Sequence, residues 1–194
     1  MAAGYGVSWT DLVFGDVPDA ATQRHAALVT SEFQISRRHT FQISAGGVLG
    51  GSLELDGRKF SIDTGWVGAV AFAWRLLEGE GYAPFLLSSL SFSASSARTE
   101  DDASGAAAHL TALDLRGGLT AGKTFWGVLS PYASLRVFGG PVFWSYDGED
   151  IGGSDKYHYQ PAVGAVVTLG PVDLYAEWAF LGERALAGGA GVSF

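Results

Sequence analysis

The stretch FSIDTGWVGAVAFAWRL, residues 60–76, decides the fold class. Its large apolar side chains stand at every second position, and small or charged residues occupy most of the positions between them. A helix with 3.6 residues per turn would mix these two sets on one surface, whereas a strand places them on opposite faces. The segment is therefore predicted to be a β-strand with one bulky apolar face.

The same alternation recurs along the chain, including residues 41–55 and 172–180. Read in this way, the sequence predicts ten strands, at residues 4–14, 26–35, 40–55, 59–77, 84–97, 107–121, 128–146, 157–169, 172–181 and 185–194. The connections between them alternate between mostly tight turns and stretches that carry most of the acidic residues. One end of the predicted sheet therefore has the longer, acidic loops.

The composition excludes several classes of protein. The 194 residues are 47% hydrophobic and 16% charged, which fits a single domain over residues 1–194. A formal net charge of -8 leaves no basic field for phosphates, so we do not expect a nucleic-acid partner. The chain has no Cys, which excludes disulfides, thiolate metal sites and thiol catalysis. We predict no metal site and no cofactor.

No membrane-spanning helix is predicted. The longest uncharged stretch, residues 81–97, contains Pro84 and many Ser, unlike the roughly 18 or more apolar residues of such a helix. Residues 1–3 lack a basic segment followed by an apolar one, so we expect either no signal peptide or one replaced by a start Met.

The architecture follows from the surroundings of the bulky apolar face. A soluble lipocalin-like barrel turns large apolar residues inward and needs charged outer faces, which these strands do not have. If the large residues face lipid instead, the small or polar residues at the alternate positions line a narrow interior. Only a closed barrel then gives every strand's backbone its hydrogen bonds within hydrocarbon. We therefore predict an all-β protein, a single antiparallel up-and-down transmembrane β-barrel of ten strands, monomeric. Eight strands remain an alternative, because Gly139 and Gly140 interrupt one strand.

Aromatic residues near strand ends are expected to form the two interfacial girdles of such a barrel. The candidates are Tyr5, Trp9, Phe41, Phe60, Trp74, Phe125, Trp126, Trp144, Tyr157, Tyr159 and Trp178.

The last predicted strand, ALAGGAGVSF at residues 185–194, has apolar residues at alternate positions and ends on Phe194. It resembles the terminal signature of Gram-negative outer-membrane β-barrel proteins. The resemblance implies an even number of strands, a location in the outer membrane of a Gram-negative bacterium, and contact with outer-membrane lipid and lipopolysaccharide. It also implies that the barrel assembly machinery recognises this strand, with Phe194 as part of the insertion signal.

Charged residues on the predicted inward face are the candidate functional residues. They are Glu32, Glu54, Asp63, Arg75, Asp114, Arg116, Arg136, Asp173 and Glu177. In one interpretation, Arg116 and Arg136 pair with Asp114, Asp63 or Glu177 and hold the barrel shut, since an unpaired charge in a confined interior is costly. In the other, unpaired carboxylates form a constriction that favours cations in a water-filled pore.

The sequence thus predicts an integral outer-membrane barrel, acting as a narrow passive pore or as a structural or surface-binding barrel with a plugged lumen. A barrel-embedded hydrolase is an alternative, using His109 or His158 with loop carboxylates, as in the ten-stranded omptins. The Asp-Asp and Asp-His pairs of the omptins are not found at comparable positions, so we predict no catalytic residue and no enzyme. A soluble lipocalin-like small-molecule binder is the remaining alternative.

Overall fold

Twelve antiparallel strands make up the described part of the protein. The computed structural model describes residues 1–15, 17–79, 83–146 and 149–193. The strands are β1 (Ala2–Phe14), β2 (Val17–Gln34), β3 (His39–Leu55), β4 (Arg58–Glu78), β5 (Phe85–Asp101), β6 (Ala107–Gly122), β7 (Leu129–Gly139), β8 (Pro141–Tyr146), β9 (Glu149–Asp155), β10 (Tyr159–Leu169), β11 (Val172–Ala179) and β12 (Arg184–Val192). Over these described ranges, no helix is long and apolar enough to cross a membrane.

The sheet closes on itself in two rings. Pairs such as Ala2 with Gly191 join β1 to β12 and close a ring of ten strands, β1–β7 with β10–β12. The pair of Leu12 with Asp155 joins β1 to β9 and closes a ring of eight strands, β1–β6 with β8 and β9. The end with residues 1 and 193 is called the terminus end here, and the opposite end, with the eight-stranded ring, is called the loop end.

The predicted antiparallel barrel is confirmed, although its strand count is twelve rather than ten. Gly140 divides the predicted strand 128–146 into β7 and β8, both of which pair with β6. A Cβ on Gly140 would lie 1.9 Å from the carbonyl oxygen of Leu113, so the close approach of the two backbones requires glycine there. The predicted loop at residues 147–156 contains β9, which pairs with β8 and β1.

An outward-facing band of large apolar side chains surrounds the ten-stranded ring, and we call it the apolar belt. Its members include Tyr5, Val29, Ile43, Trp66, Val70, Leu90, Phe92, Leu115, Leu119, Leu135, Val137, Val163, Leu174, Trp178 and Leu186, all well exposed. A continuous exposed apolar surface of this extent is unusual for a protein in water and suits the hydrocarbon core of a membrane.

The eight-stranded ring, called the cap, has the opposite arrangement. Its interior holds an apolar cluster, the cap cluster, made of Leu12, Phe14, Ala20, Val48, Leu53, Phe60, Ile62, Ala97, Ala108, Leu110, Val142 and Trp144. Phe60 and Trp144 are each 1% exposed, and their rings meet edge to face with centroids 4.9 Å apart. The prediction that these two aromatics belong to an interfacial girdle is therefore wrong.

Two β-bulges explain why apolar residues face outward in the apolar belt and inward in the cap. In β3 the pairing register with β2 shifts next to Gly50, and in β4 the register with β5 shifts between Ile62 and Gly65. A shift of one residue moves every later side chain to the other face of a strand. Apolar residues that share one sequence parity therefore face outward in the belt and inward in the cap.

The outer face of the cap is polar. Residues that alternate with the buried cluster include Lys59, Arg98, His109 and Ser145, and their side chains are exposed. This pattern of apolar inside and polar outside is that of a small β-barrel in water. The change from belt to cap therefore marks the height at which the barrel leaves its apolar surroundings.

Candidate functional site in the barrel interior

A network of charged and polar side chains lies inside the ten-stranded ring, and we call it the lumen network. Its centre is Arg116 on β6, which donates from Nε to Asp114 Oδ2 at 3.1 Å and from Nη2 to Glu183 Oε2 at 2.7 Å. Arg116 Nη1 also donates to Gln160 Oε1 at 3.1 Å. The guanidinium carbon lies 4.5 Å from the ring centroid of Phe138, a cation–π distance.

Arg136 on β7 forms the second half of the lumen network. Its Nη1 donates to Glu177 Oε1 at 2.7 Å and to Gln160 Oε1 at 2.9 Å. The hydroxyl of Tyr132 donates to Glu177 Oε2 at 3.1 Å. Gln160 thus receives hydrogen bonds from both Arg116 and Arg136 and joins the two halves. Of the three candidate partners named from the sequence, Asp114 and Glu177 contact these arginines.

The lumen network follows one wall of the barrel, from β6 across β7 and β10 to β11 and the turn before β12. The sequence pattern does not predict Glu183 as a lumen residue, because residues 182–184 lie between two predicted strands. The turn that carries Glu183 into the lumen requires glycine at position 182. Gly182 has a φ of +67°, and a Cβ there would lie 1.8 Å from the carbonyl oxygen of Tyr159.

Three predicted charges lie near the terminus end, away from the lumen network. Glu32 accepts a hydrogen bond from Gln42 at 2.7 Å and is exposed. Arg75 lies 3.6 Å from Glu78 in an exposed ion pair. Asp173 accepts from the Thr168 hydroxyl at 2.6 Å. Each makes its own local contacts, so these residues do not form part of one constriction.

Two further predicted charges do not face the lumen as expected. Glu54 lies on the outer face, because the register shift next to Gly50 reverses the parity of β3 beyond that point. Asp63 lies at the bulge of β4 and is exposed. Phe194, the predicted insertion signal, lies outside the described residues.

At the loop end, Asp101 fixes the turn between β5 and β6. Its Oδ1 accepts from Ala103 N at 3.0 Å and its Oδ2 accepts from the Ser104 hydroxyl at 2.8 Å, and Arg58 also contacts Oδ2. The hydrogen bonds from Ala103 and Ser104, together with Arg58, lower the pKa of Asp101 to about 2. The charged form therefore stabilises this turn at neutral pH, and its contribution is lost only as the pH falls toward 2.

A cavity of about 410 Å³ lies beside the lumen network. It extends from Leu110 and Val142, under the cap cluster, to Ala2 and Thr30 near the terminus end. Arg24 on β2 faces it from the wall opposite the network and donates to Ser95 Oγ at 3.4 Å. In the parts of the chain that are described, no three His, Asp or Glu side chains converge as metal ligands would.

The structure places the two candidate catalytic histidines in different parts of the barrel. His109 is exposed on the outer face of the cap, opposite Arg98 on β5. His158 lies between β9 and β10, and its Nδ1 would be 3.3 Å from a Cβ on Gly139. Over residues 1–15, 17–79, 83–146 and 149–193, neither imidazole has a hydrogen bond to a carboxylate.

Solved structures of other proteins share this architecture. The outer membrane protease OmpT from Escherichia coli is 10% identical and superposes with a TM-score of 0.58, over 100% of this chain and 97% of that one. The translocator domain of the autotransporter NalP from Neisseria meningitidis is also 10% identical, with a TM-score of 0.55 over 100% of this chain and 88% of that one. No protein-family model and no curated protein matches the sequence.

These likenesses define the class of fold. The closed antiparallel sheet, the apolar belt and the polar lumen are those of an outer-membrane β-barrel protein. At 10% identity, the comparison shows the fold and carries no activity over to this chain.

Proposed function

We propose that the chain is an outer-membrane barrel that is closed to the passage of ions and solutes, with a structural or surface-binding role. The observation that carries this proposal is the cap cluster, whose twelve apolar side chains are all buried inside the eight-stranded ring. An interior of eight strands is just wide enough for side chains to fill it. The cavity below therefore ends at an apolar plug.

The lumen network supports the same proposal in a different way. Arg116 and Arg136 are both paired with carboxylates, so neither guanidinium is free to meet an ion in the lumen. Ion-selective constrictions use charges that are free to meet the ion. We infer that the lumen network ties the strands of one wall together and that the cap cluster closes the lumen.

We also propose that the protein is not an enzyme. General acid–base catalysis needs a base within hydrogen-bonding reach of its partners. The positions of His109 and His158 among the described residues support the proposal, since neither side chain contacts a carboxylate there. A hydrolase screen with substitutions at both positions tests it, and activity that disappears with either histidine would overturn it.

The experiment that tests closure is single-channel recording across a planar bilayer. The sample is the detergent-refolded chain, shown to be folded by a heat-sensitive gel shift. We expect no discrete conductance steps, either for the wild type or for Glu177→Ala, because the closure lies in the cap. Discrete steps from the wild type, altered by Glu177→Ala, would instead establish an open pore through the lumen network.

We propose the outer membrane of a Gram-negative bacterium as the location, and outer-membrane lipid and lipopolysaccharide as the surroundings of a monomeric barrel. The apolar belt supports this, because its exposed side chains suit lipid rather than water. Recognition by the barrel assembly machinery during insertion is part of the same proposal. A folded, monodisperse protein in buffer without detergent would favour the lipocalin-like alternative.

A further inference from the structure

The cavity contains two opposite charges that the lumen network does not use. Arg24 and Asp155 both line it, and neither has an ion pair within the described chain. The guanidinium of Arg24 makes a long hydrogen bond of 3.4 Å to Ser95, and Asp155 accepts one of 3.1 Å from the Thr10 hydroxyl. By contrast, Arg116 and Arg136 are both held by carboxylates.

Two further polar atoms on the cavity wall have unused hydrogen-bonding capacity. The Thr22 side chain is buried, with 4% of the residue exposed, and its Oγ1 has no partner in the described part of the molecule. Oδ1 of Asp114 is also buried without a partner there. A buried polar atom left without a hydrogen bond costs about 1–3 kcal/mol, so each unpartnered atom needs an explanation.

Three of these groups, Thr22, Arg24 and Asp155, lie close to one another on the wall formed by β1, β2 and the end of β9. Thr22 pairs directly with Thr10 across β1 and β2, and Asp155 is bonded to Thr10. Arg24 follows Thr22 by two residues on the same face of β2, at a spacing of about 7 Å. A positive group, a negative group and a free hydroxyl therefore form one continuous polar surface.

The adjoining part of the cavity is apolar. Val48, Val67, Leu110 and Val142 line it at the boundary with the cap cluster. A ligand that fits both parts has two opposite charges at one end and a branched aliphatic body at the other. Binding pockets of this kind combine an apolar lining with a few precisely placed polar groups.

We propose that this cavity binds a small zwitterion with a carboxylate, an ammonium group and an aliphatic body, as in a branched-chain α-amino acid. The guanidinium of Arg24 and the hydroxyl of Thr22 donate hydrogen bonds to the carboxylate, since a guanidinium presents paired donors to its two oxygens. Asp155 and the free Oδ1 of Asp114 accept hydrogen bonds from the ammonium group. The valine and leucine side chains under the cap contact the aliphatic body, and the ligand enters from the terminus end.

The test is isothermal titration of the refolded full chain in detergent micelles with L-leucine. We expect saturable binding of one leucine per chain, with the affinity lowered about tenfold or more by Arg24→Gln and by Asp155→Asn, because each removes a charged partner. Arg98→Gln, on the outer face of the cap, is the matched control and is expected to bind leucine like the wild type. Thr22→Val keeps the side-chain shape and charge, and we expect it to weaken binding as well.

Two analogues separate recognition of the charges from recognition of the aliphatic body. 4-Methylpentanoate lacks the ammonium group and 3-methylbutylamine lacks the carboxylate, and both are expected to bind about tenfold or more weakly than leucine. Three results would each overturn the proposal: no leucine binding to the folded wild type, binding of either analogue as tight as that of leucine, or wild-type affinity in Arg24→Gln and Asp155→Asn. The titration is independent of conductance, so a failure here leaves the closed lumen standing.

Discussion

With Trp144 replaced by alanine, we expect the free energy of unfolding to fall by about 3–5 kcal/mol. Trp144 is fully buried in the cap cluster, where its ring packs against Phe60 and Phe14 and its Nε1 donates to Thr99 Oγ1 at 3.0 Å. Removing the ring leaves a cavity and an unpartnered hydroxyl in the middle of the cap. Denaturant unfolding in lipid vesicles, followed by tryptophan fluorescence and by the gel shift, measures the loss.

The same site controls closure. Trp144 and Phe60 are among the largest buried side chains of the cap cluster, so the double variant Trp144→Ala with Phe60→Ala is expected to connect the cavity to the loop end. Discrete conductance steps should then appear in a planar bilayer. Phe143→Ala, which removes an outward-facing ring from the same strand, should stay silent. If the folded double variant is silent too, the cap cluster is not what closes the barrel.

The second large effect concerns Arg116. Replacing it with methionine leaves the buried Glu183 and the partly buried Asp114 without their cation, and we expect a loss of about 3–5 kcal/mol in the free energy of unfolding. Arg98→Met is the matched control, because Arg98 is exposed and lies 4.0 Å from Glu100. Exposed pairs of that kind contribute at most about 1 kcal/mol.

A double-mutant cycle shows whether the loss comes from the pair itself. Glu183→Gln removes the charge in the turn before β12. We expect the variant with both Arg116→Met and Glu183→Gln to lose less free energy of unfolding than the sum of the two single losses, by about 1 kcal/mol or more. Urea unfolding of the four proteins in one vesicle preparation measures this. Strict additivity would mean that Arg116 and Glu183 stabilise the barrel independently, against the structure's description of one network.

The alternation of apolar and polar residues predicts the barrel well where a strand keeps its register. In β6, Asp114 and Arg116 alternate with Leu113 and Leu115, and no bulge intervenes, so the inward face is predicted correctly. The predicted partners of the two arginines follow from the same pattern. Period-two reasoning therefore finds the centre of the lumen network.

The errors arise where register or location depends on contacts between strands. The bulges of β3 and β4 reverse the faces of Glu54 and Phe60, and sequence alternation alone does not show where an extra residue is accommodated. Arg24, Asp155 and Glu183 are assigned to connecting segments because charged residues there suggest loops. The sequence does contain a pattern that indicates the inward position of Arg24. Ala26 and Leu28 face the cavity from even-numbered positions of β2, and Thr22 and Arg24 extend that series by two positions.

Spin-label accessibility in lipid vesicles measures directly which part of the barrel faces lipid and which part faces water. The chain has no Cys, so a spin label attaches only to a cysteine that is introduced. Single cysteine substitutions are made at Leu115 and Leu135 in the apolar belt, and at Glu54 and Arg98 on the cap. We predict that belt labels collide mainly with oxygen, which concentrates in hydrocarbon, and cap labels with a water-soluble nickel complex. Equal nickel accessibility at Leu115 and Arg98 would contradict the assignment of a lipid-facing belt beneath a water-exposed cap.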